Sequence, residues 1–286
     1  MNRQYPRFMD ISSEFRDPET ARYHILPVPF DATSTFRKGA DLGPSTLLEV
    51  SNQLEEYDIE TGIIPCRAGI YVEEPVSAQE PEELPDRVQQ RTRRILEAGR
   101  IPVILGGEHS VSVGSAWAAA EYFDDLTVVQ LDAHSDLRQS YHGSPFNHAC
   151  VMARIREKSP ILQAGIRSMD ISELEFVDPD RIFYAHQIHE DPDWISRLCS
   201  RLSARTYLTI DLDAFDPSIL PSTGTPQPGG LDWYTVLRLI RCIADQSRLV
   251  GFDIVELCPD GSHASPMLAA TLLYKTIAYI ETAAEK

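Results

Sequence analysis

The chain alternates between short apolar runs and longer amphipathic segments. The apolar runs predict buried strands at 23–28, 101–105, 126–131, 181–184, 207–210 and 249–255. The amphipathic segments predict helices at 44–57, 83–98, 111–122, 194–202, 233–244 and 266–283. Because strands and helices alternate, we expect an α/β fold in which a mainly parallel sheet is covered by helices on both faces.

Three of the predicted strands end in polar motifs. These motifs are Gly-Gly-Glu-His-Ser at 106–110, Asp-Ala-His-Ser-Asp at 132–136 and Asp-Leu-Asp at 211–213. Side chains in an extended backbone repeat with a period of two, so Asp132, His134 and Asp136 would point to one side. Asp211 and Asp213 would do the same on their strand. If the strands are neighbours, these side chains and His109 converge.

Carboxylates gathered in this way repel one another unless cations neutralise them. A set of four Asp and two His, with no thiolate, suits Mn²⁺, although Fe, Co, Ni and Zn²⁺ remain possible. Six side chains are too many for one tetrahedral site. If two of the aspartates bridge, the set suits two ions about 3.5 to 4 Å apart.

Each motif also has a simpler explanation. An Asp-x-Asp pair after a strand is more often a helix cap or a turn than a ligand pair, and Gly106-Gly107 could form a phosphate cradle at a helix N-terminus. Glu108 argues against an anion there. All three motifs follow successive strands, where ligands gather in α/β sheets, and this favours the metal site.

The motifs resemble those of the ureohydrolases, a family that includes arginase, agmatinase, guanidinobutyrase and formiminoglutamase. The resemblance covers nearly the whole chain and includes Thr-Ile-Asp-Leu-Asp-Ala-Phe-Asp-Pro at 209–217 and the Pro/Gly-rich segment 221–230. It implies a three-layer arginase-like fold, urea-forming chemistry and two Mn²⁺ per chain. It also implies a homo-oligomer, either a trimer or a hexamer.

The resemblance assigns roles to individual residues. One Mn²⁺ would be held by His109, Asp132, Asp136 and Asp211, and the other by Asp132, His134, Asp211 and Asp213. His148 matches the histidine that handles protons near the substrate, and Glu256 matches the carboxylate that receives the guanidinium group. Family members often have Asp where this chain has Glu108, which lies outside the ligand set.

Substrate choice depends on the loops. The segment from Leu137 to Met152 is similar to agmatinases more than to arginases, so agmatine, cleaved to putrescine and urea, is the predicted substrate. Aminopropylagmatine, guanidinobutyrate and arginine remain open. Two other classes are a non-catalytic metal-binding relative and a single-zinc deacetylase. His148 and Glu256 count against the former, and the full bridging set counts against the latter.

Composition is consistent with one enzyme domain spanning 1–286. The formal net charge of −17 makes nucleic acid an unsuitable partner and fits a cationic substrate. Five scattered cysteines favour a reducing compartment, and the first ten residues contain no apolar signal core. We therefore expect a cytoplasmic enzyme without a membrane segment. His24, His142, His186, His189 and His263 are predicted to be structural or solvated.

Overall fold

The structure, a computed structural model, describes residues 5–284. Its centre is one eight-stranded parallel sheet with the strand order β2-β1-β3-β8-β7-β4-β5-β6. The strands are β1 (Tyr23–Val28), β2 (Ile70–Val72), β3 (Ile101–Gly106), β4 (Leu126–Leu131), β5 (Ile161–Ile166), β6 (Ile182–Tyr184), β7 (Arg205–Asp211) and β8 (Arg248–Val255). Residues 1–4, part of the stretch in which no signal core was found, lie outside the described residues.

Helices cover both faces of the sheet. They are α1 (Gly43–Ser51), α2 (Leu84–Glu97), α3 (Ser112–Tyr122), α4 (Val151–Ile155), α5 (Ala185–Glu190), α6 (Trp194–Cys199), α7 (Trp233–Gln246) and α8 (Ala264–Ala284). On one side α8 packs against α1 and α7, and α6 packs against α7. On the other side α3 packs against α2 and α4. The predicted three-layer α/β architecture is confirmed.

The predicted elements are present, but some bounds were wrong. The first helix ends at Ser51 instead of continuing to residue 57, because the amides of Gln53 and Leu54 form tight turns with the carbonyls of Val50 and Ser51. The helix predicted at 194–202 ends at Cys199.

Four elements, β2, β5, α4 and α5, were missed. Strand β5 has the polar Gln163 at its centre, which breaks the apolar pattern. The Gln163 side chain can be buried in the fold because its amide nitrogen donates hydrogen bonds to Gln130 Oε1 at 2.6 Å and to the Ser135 carbonyl at 2.7 Å. Helices α4 and α5 and strand β2 span only three to six residues, too few for a period to be recognised.

The strand order explains why the polar motifs meet. All strand pairs are parallel, so the carboxyl ends of β3, β8, β7 and β4 lie side by side at one edge of the sheet. The three motifs follow β3, β4 and β7, and Glu256 follows β8 directly. Among residues 5–284, no helix combines the length and apolar character needed to span a membrane.

Candidate metal centre and active site

The first group of side chains surrounds His109. Its Nδ1 lies 3.0 Å from Asp132 Oδ2, 3.1 Å from Asp136 Oδ2 and 3.4 Å from Asp211 Oδ2. All four side chains are buried. The left-handed backbone of Asp136, with φ of 52°, turns the chain after β4, and its carbonyl accepts the amides of Met152 and Ala153.

The second group surrounds His134. Its Nδ1 lies 3.0 Å from Asp213 Oδ2 and 3.6 Å from Asp132 Oδ1, so Asp132 faces both histidines. The ligand atoms of Asp132, His134 and Asp213 lie close enough to hold one ion, as do those of His109, Asp132 and Asp211. The structure therefore brings together all six side chains that the sequence predicted as ligands.

Hydrogen bonds to backbone amides orient the carboxylates. Asp132 Oδ1 accepts from the His134 amide at 2.6 Å, Asp213 Oδ1 accepts from the Ala133 amide at 3.0 Å, and Asp211 Oδ1 accepts from the Asp213 amide at 2.8 Å. Gln130 Nε2 donates to Asp132 Oδ2 at 2.7 Å. The short motifs thus fold on themselves. The second oxygens of Asp211 and Asp213 face His109 and His134, and each oxygen of Asp132 both accepts a hydrogen bond and faces one of the histidines.

A buried polar chain supports His109 from the opposite side. His109 Nε2 lies 2.8 Å from Thr209 Oγ1, and the Thr209 hydroxyl donates to Asp253 Oδ1 at 2.6 Å. Tyr207 donates to the other oxygen of Asp253 at 2.9 Å. Because the Thr209 proton goes to Asp253, His109 Nε2 carries a proton, and this leaves Nδ1 as the basic nitrogen. Sequence inspection missed Thr209 and Asp253 in this role, since both are within strands.

Burial and mutual repulsion shift the pKa values of the clustered side chains. Burial and the neighbouring Asp132 raise the pKa of Asp136 to about 7. Burial, followed by the charges of Asp213 and Asp132, raises the pKa of Asp211 well above its usual range. Burial opposes protonation of His134, but Asp213 and Asp132 outweigh it and raise its pKa to about 12.

The residues fit divalent cations. His109 Nδ1 is buried and has no hydrogen-bond partner, although three carboxylate oxygens lie within 3.4 Å. A buried polar atom without a partner is unusual in a folded protein, and a bound cation would satisfy it. Carboxylate oxygens with imidazole nitrogens, and no thiolate, form a donor set that suits Mn²⁺ and other divalent first-row metals.

Glu256 stands beside the cluster with a left-handed backbone at φ of 65°. Its Oε1 accepts the amide of His109 at 2.9 Å. Burial and the nearby Glu108 raise its pKa well above the usual range, so a cation at this carboxylate would stabilise the ionised form. A Cβ at Gly224 would lie 3.3 Å from Glu256 Oε2, so the Pro/Gly-rich segment 221–230 passes close to this carboxylate.

His148 lines the same cavity as Glu256. Its imidazole is mostly buried, and its Nδ1 lies 3.2 Å from Thr33 Oγ1. Burial lowers the pKa of His148 to about 4, so the ring is neutral at neutral pH. Burial also raises the pKa of Glu108 to about 7. The carboxylate of Glu108 accepts the hydroxyls of Thr33 and Ser110, at 2.6 and 2.5 Å.

These groups line one open cavity of about 230 Å³. His109, His134, His148 and Glu256 are among its lining residues. Arg138 lies at the same cavity, with its guanidinium stacked over the Tyr141 ring at 4.6 Å. The cavity is therefore lined by side chains that could hold cations, by a buried carboxylate and by a mostly buried imidazole.

The remaining histidines and cysteines lie outside this site. His24 is in β1 and pairs with Glu73 at 2.8 Å, and His142 is in a loop at φ of 48°. His186 and His189 lie on α5, where they line a separate surface cavity. Cys258 is fully buried, and the described cysteines are free thiols.

Comparisons with known proteins identify a family and a fold that this chain matches. The model of the arginase family matches residues 21–278. The N(1)-aminopropylagmatine ureohydrolase of Synechocystis is 37% identical over 268 residues, covering 89% of this chain and 88% of that protein. A protein of the same name from Thermus thermophilus is 38% identical over 264 residues, covering 91% and 90%. The crystal structure of Thermoplasma volcanium agmatine ureohydrolase superposes with a TM-score of 0.85 at 35% identity, covering 93% and 92%.

Proposed function

This chain belongs to the arginase family of ureohydrolases, and from that premise we propose that it cleaves an amine-tailed guanidine to urea and an amine at a two-manganese centre. The observation that carries the proposal is the buried His109 Nδ1, which lacks a hydrogen-bond partner and faces three carboxylate oxygens. A site of this composition suits cations, and the adjoining cavity contains a carboxylate for a guanidinium group.

We assign the six ligands to two ions. His109 and Asp136 would bind one ion, His134 and Asp213 would bind the other, and Asp132 and Asp211 would bridge both. The bridging role of Asp132 is supported by its two oxygens, which face His109 and His134 separately. When bound, the ions would lower the pKa of coordinated water and supply hydroxide near neutral pH.

Glu256 would orient the substrate. A planar guanidinium group donates paired hydrogen bonds that a carboxylate accepts well. Burial and Glu108 raise the pKa of Glu256 and so disfavour its ionised form. A bound guanidinium cation would offset this effect and stabilise the Glu256 carboxylate. This interaction would hold the guanidinium carbon toward the metal ligands.

His148 would move the proton. Hydrolysis adds water across the bond between the guanidinium carbon and the substituted nitrogen, and that nitrogen leaves as an amine only after it gains a proton. His148 is neutral at pH 7, because burial lowers its pKa to about 4. A neutral imidazole has one ring nitrogen free to accept a proton, and through this nitrogen His148 would take up a proton from water and pass it to the leaving nitrogen.

Two substrates fit this chemistry. The loop pattern at 137–152 predicts agmatine, which would give putrescine and urea. The relatives that are 37% and 38% identical are named for N(1)-aminopropylagmatine, which would give spermidine and urea. We propose N(1)-aminopropylagmatine as the first substrate to test and agmatine as the second. Both carry amine tails, which suit a chain with a formal charge of −17.

The test is urea release from Mn²⁺-loaded protein with N(1)-aminopropylagmatine, agmatine, guanidinobutyrate, arginine and formiminoglutamate. We expect the highest kcat/KM for one of the two amine-tailed guanidines. A preference for arginine or guanidinobutyrate would refute the substrate class. As a control, His148→Ala should lower kcat about 10²- to 10⁴-fold and leave the bound Mn²⁺ unchanged. Loss of metal in that variant would refute the role of His148.

Metal content separates this proposal from the alternatives. We expect two ions per chain, whereas a deacetylase would bind one. A protein with two ions and no activity on any guanidine would support a non-catalytic role. We also propose that residues 1–286 form one domain, that the enzyme is a trimer or hexamer, and that it works in the cytoplasm.

A further inference from the structure

The hydroxyl of Thr33 makes three polar contacts near His148. It donates to Glu108 Oε2 at 2.6 Å, it accepts the backbone amide of His148 at 2.9 Å, and it lies 3.2 Å from His148 Nδ1. Glu108 is fully buried, and Thr33 is partly buried and contacts both the Glu108 carboxylate and the His148 imidazole. One threonine therefore links a buried carboxylate to the histidine of the site.

Counting hydrogens decides how these contacts are arranged. A threonine hydroxyl has one hydrogen and two lone pairs. Glu108 accepts a hydroxyl at each of its two oxygens, Ser110 at Oε1 and Thr33 at Oε2, which is the hydrogen-bonding pattern of an ionised carboxylate. In this arrangement the Thr33 hydrogen goes to Glu108, and the His148 amide occupies one lone pair of the hydroxyl. The remaining contact can form only if His148 Nδ1 carries a hydrogen and donates it to Thr33. The imidazole would then be held as its Nδ1–H tautomer.

The segment that carries Thr33 is fixed at both ends. The amides of Gly107 and Glu108 donate to the carbonyls of Val28 and Phe30, at 2.9 and 2.8 Å. Farther along, Asp31 Oδ2 accepts the amide of Gly39 at 2.6 Å. The hydroxyl is therefore placed by the backbone of the sheet edge, and its position does not depend on the substrate.

We propose that Thr33, backed by Glu108, is a positioning residue that fixes His148 as the Nδ1–H tautomer. Nε2 is then the ring nitrogen that accepts and returns the proton during turnover. Thr33 does not touch the reacting atoms in this scheme. The inference rests on the proposed function for its effect on catalysis, but the tautomer itself can be observed independently of activity.

The kinetic test compares Thr33→Val, which removes the hydroxyl at nearly constant shape, with Thr33→Ser, which keeps it. We expect Thr33→Val to lower kcat about 10- to 100-fold, because a misaligned proton carrier is used less often. KM and Mn²⁺ content should stay at wild-type values, and Thr33→Ser should restore kcat. Thr206→Val is the matched control, because Thr206 is buried on β7 and its hydroxyl bonds Ser247, at 2.8 Å, away from the site.

The tautomer test uses ¹⁵N NMR of the imidazoles in protein loaded with diamagnetic Zn²⁺, with His148→Ala to assign the signals. We expect His148 to show Nδ1–H in the wild type and in Thr33→Ser, and a mixture of tautomers in Thr33→Val. If the wild type shows Nε2–H, the inference is wrong whether or not the protein releases urea. A kcat lost equally in the valine and serine variants would also overturn it. Absence of urea release with Nδ1–H intact would instead refute the proposed function.

Discussion

Replacing Thr209 with valine tests how the strand supports the metal ligand. Thr209 Oγ1 joins His109 Nε2, at 2.8 Å, to Asp253 Oδ1, at 2.6 Å, inside a fully buried chain. Valine has almost the same shape but cannot hydrogen-bond. The substitution therefore removes both contacts while the packing of β7 is kept.

The expected magnitude follows from what is left without a partner. His109 Nε2–H would be buried without an acceptor, whereas Asp253 would keep the hydroxyl of Tyr207 at 2.9 Å. One buried group left unsatisfied costs about 1–3 kcal/mol of folding free energy. Loss of a hydrogen bond that orients a metal-bound histidine typically weakens metal affinity about 10- to 100-fold, which is about 1.4–2.8 kcal/mol.

The assay is calorimetric titration of Mn²⁺ into chelator-treated protein, beside urea-induced unfolding of the metal-free protein. Thr206→Val is again the control, since it removes a hydroxyl from the same strand but from the end away from the site. We expect Thr209→Val to weaken Mn²⁺ binding and Thr206→Val to leave it unchanged. Equal Mn²⁺ affinity in Thr209→Val and the wild type would refute the reasoning, as would equal weakening in both variants.

Three further predictions concern binding, charge and packing. Glu256→Gln should lower kcat/KM about 10- to 100-fold, because the substrate loses a charge-assisted hydrogen bond, and it should leave the Mn²⁺ content unchanged. Steady-state kinetics and metal analysis check this, and loss of Mn²⁺ would contradict it. With a chelator present, the wild type should become less stable relative to Asp136→Asn as the pH rises from about 4 to about 7. The reason is that burial and Asp132 raise the folded-state pKa of Asp136 to about 7, so the fold favours the protonated carboxyl group and loses this stabilisation as the group ionises. Denaturant titrations at several pH values check this, and a relative stability that rises with pH would contradict it. Gly107→Ala should destabilise the fold by about 1–3 kcal/mol, because the added Cβ would lie 2.0 Å from the Phe30 carbonyl oxygen; a wild-type unfolding midpoint would contradict that prediction.

The ligand set could be predicted from the sequence because local rules place it. The motifs at 132–136 and 211–213 begin where apolar strands end, which is a local signal. The period of two does not continue through them in the structure, because Asp136 has a left-handed backbone and Asp213 lies in a short 3-10 helix. Parallel strands then place all carboxyl ends at one edge. Nothing in the sequence pattern revealed that β8 lies between β3 and β7, yet this order brings Glu256 beside His109.

Strand β5 and the contact between Thr33 and His148 could not be predicted, because both depend on contacts between segments that are far apart in the sequence. Gln163 interrupts β5 in sequence, but in the fold it completes a buried chain with Gln130 and through it reaches Asp132. Thr33 lies 115 residues before His148, so its contact with the imidazole has no local signal. A polar residue within an apolar run has two interpretations, a break or a buried hydrogen bond, and only tertiary structure separates them.

The most direct test of the account is urea release by the Mn²⁺-loaded protein from N(1)-aminopropylagmatine and agmatine, measured beside Asp132→Asn. Asp132 faces both histidines, so its substitution should disturb both ion sites at once. We predict equal amounts of urea and amine from the wild type and no urea above background from Asp132→Asn. A correctly folded wild type that binds two Mn²⁺ but releases no urea from either guanidine would contradict the account.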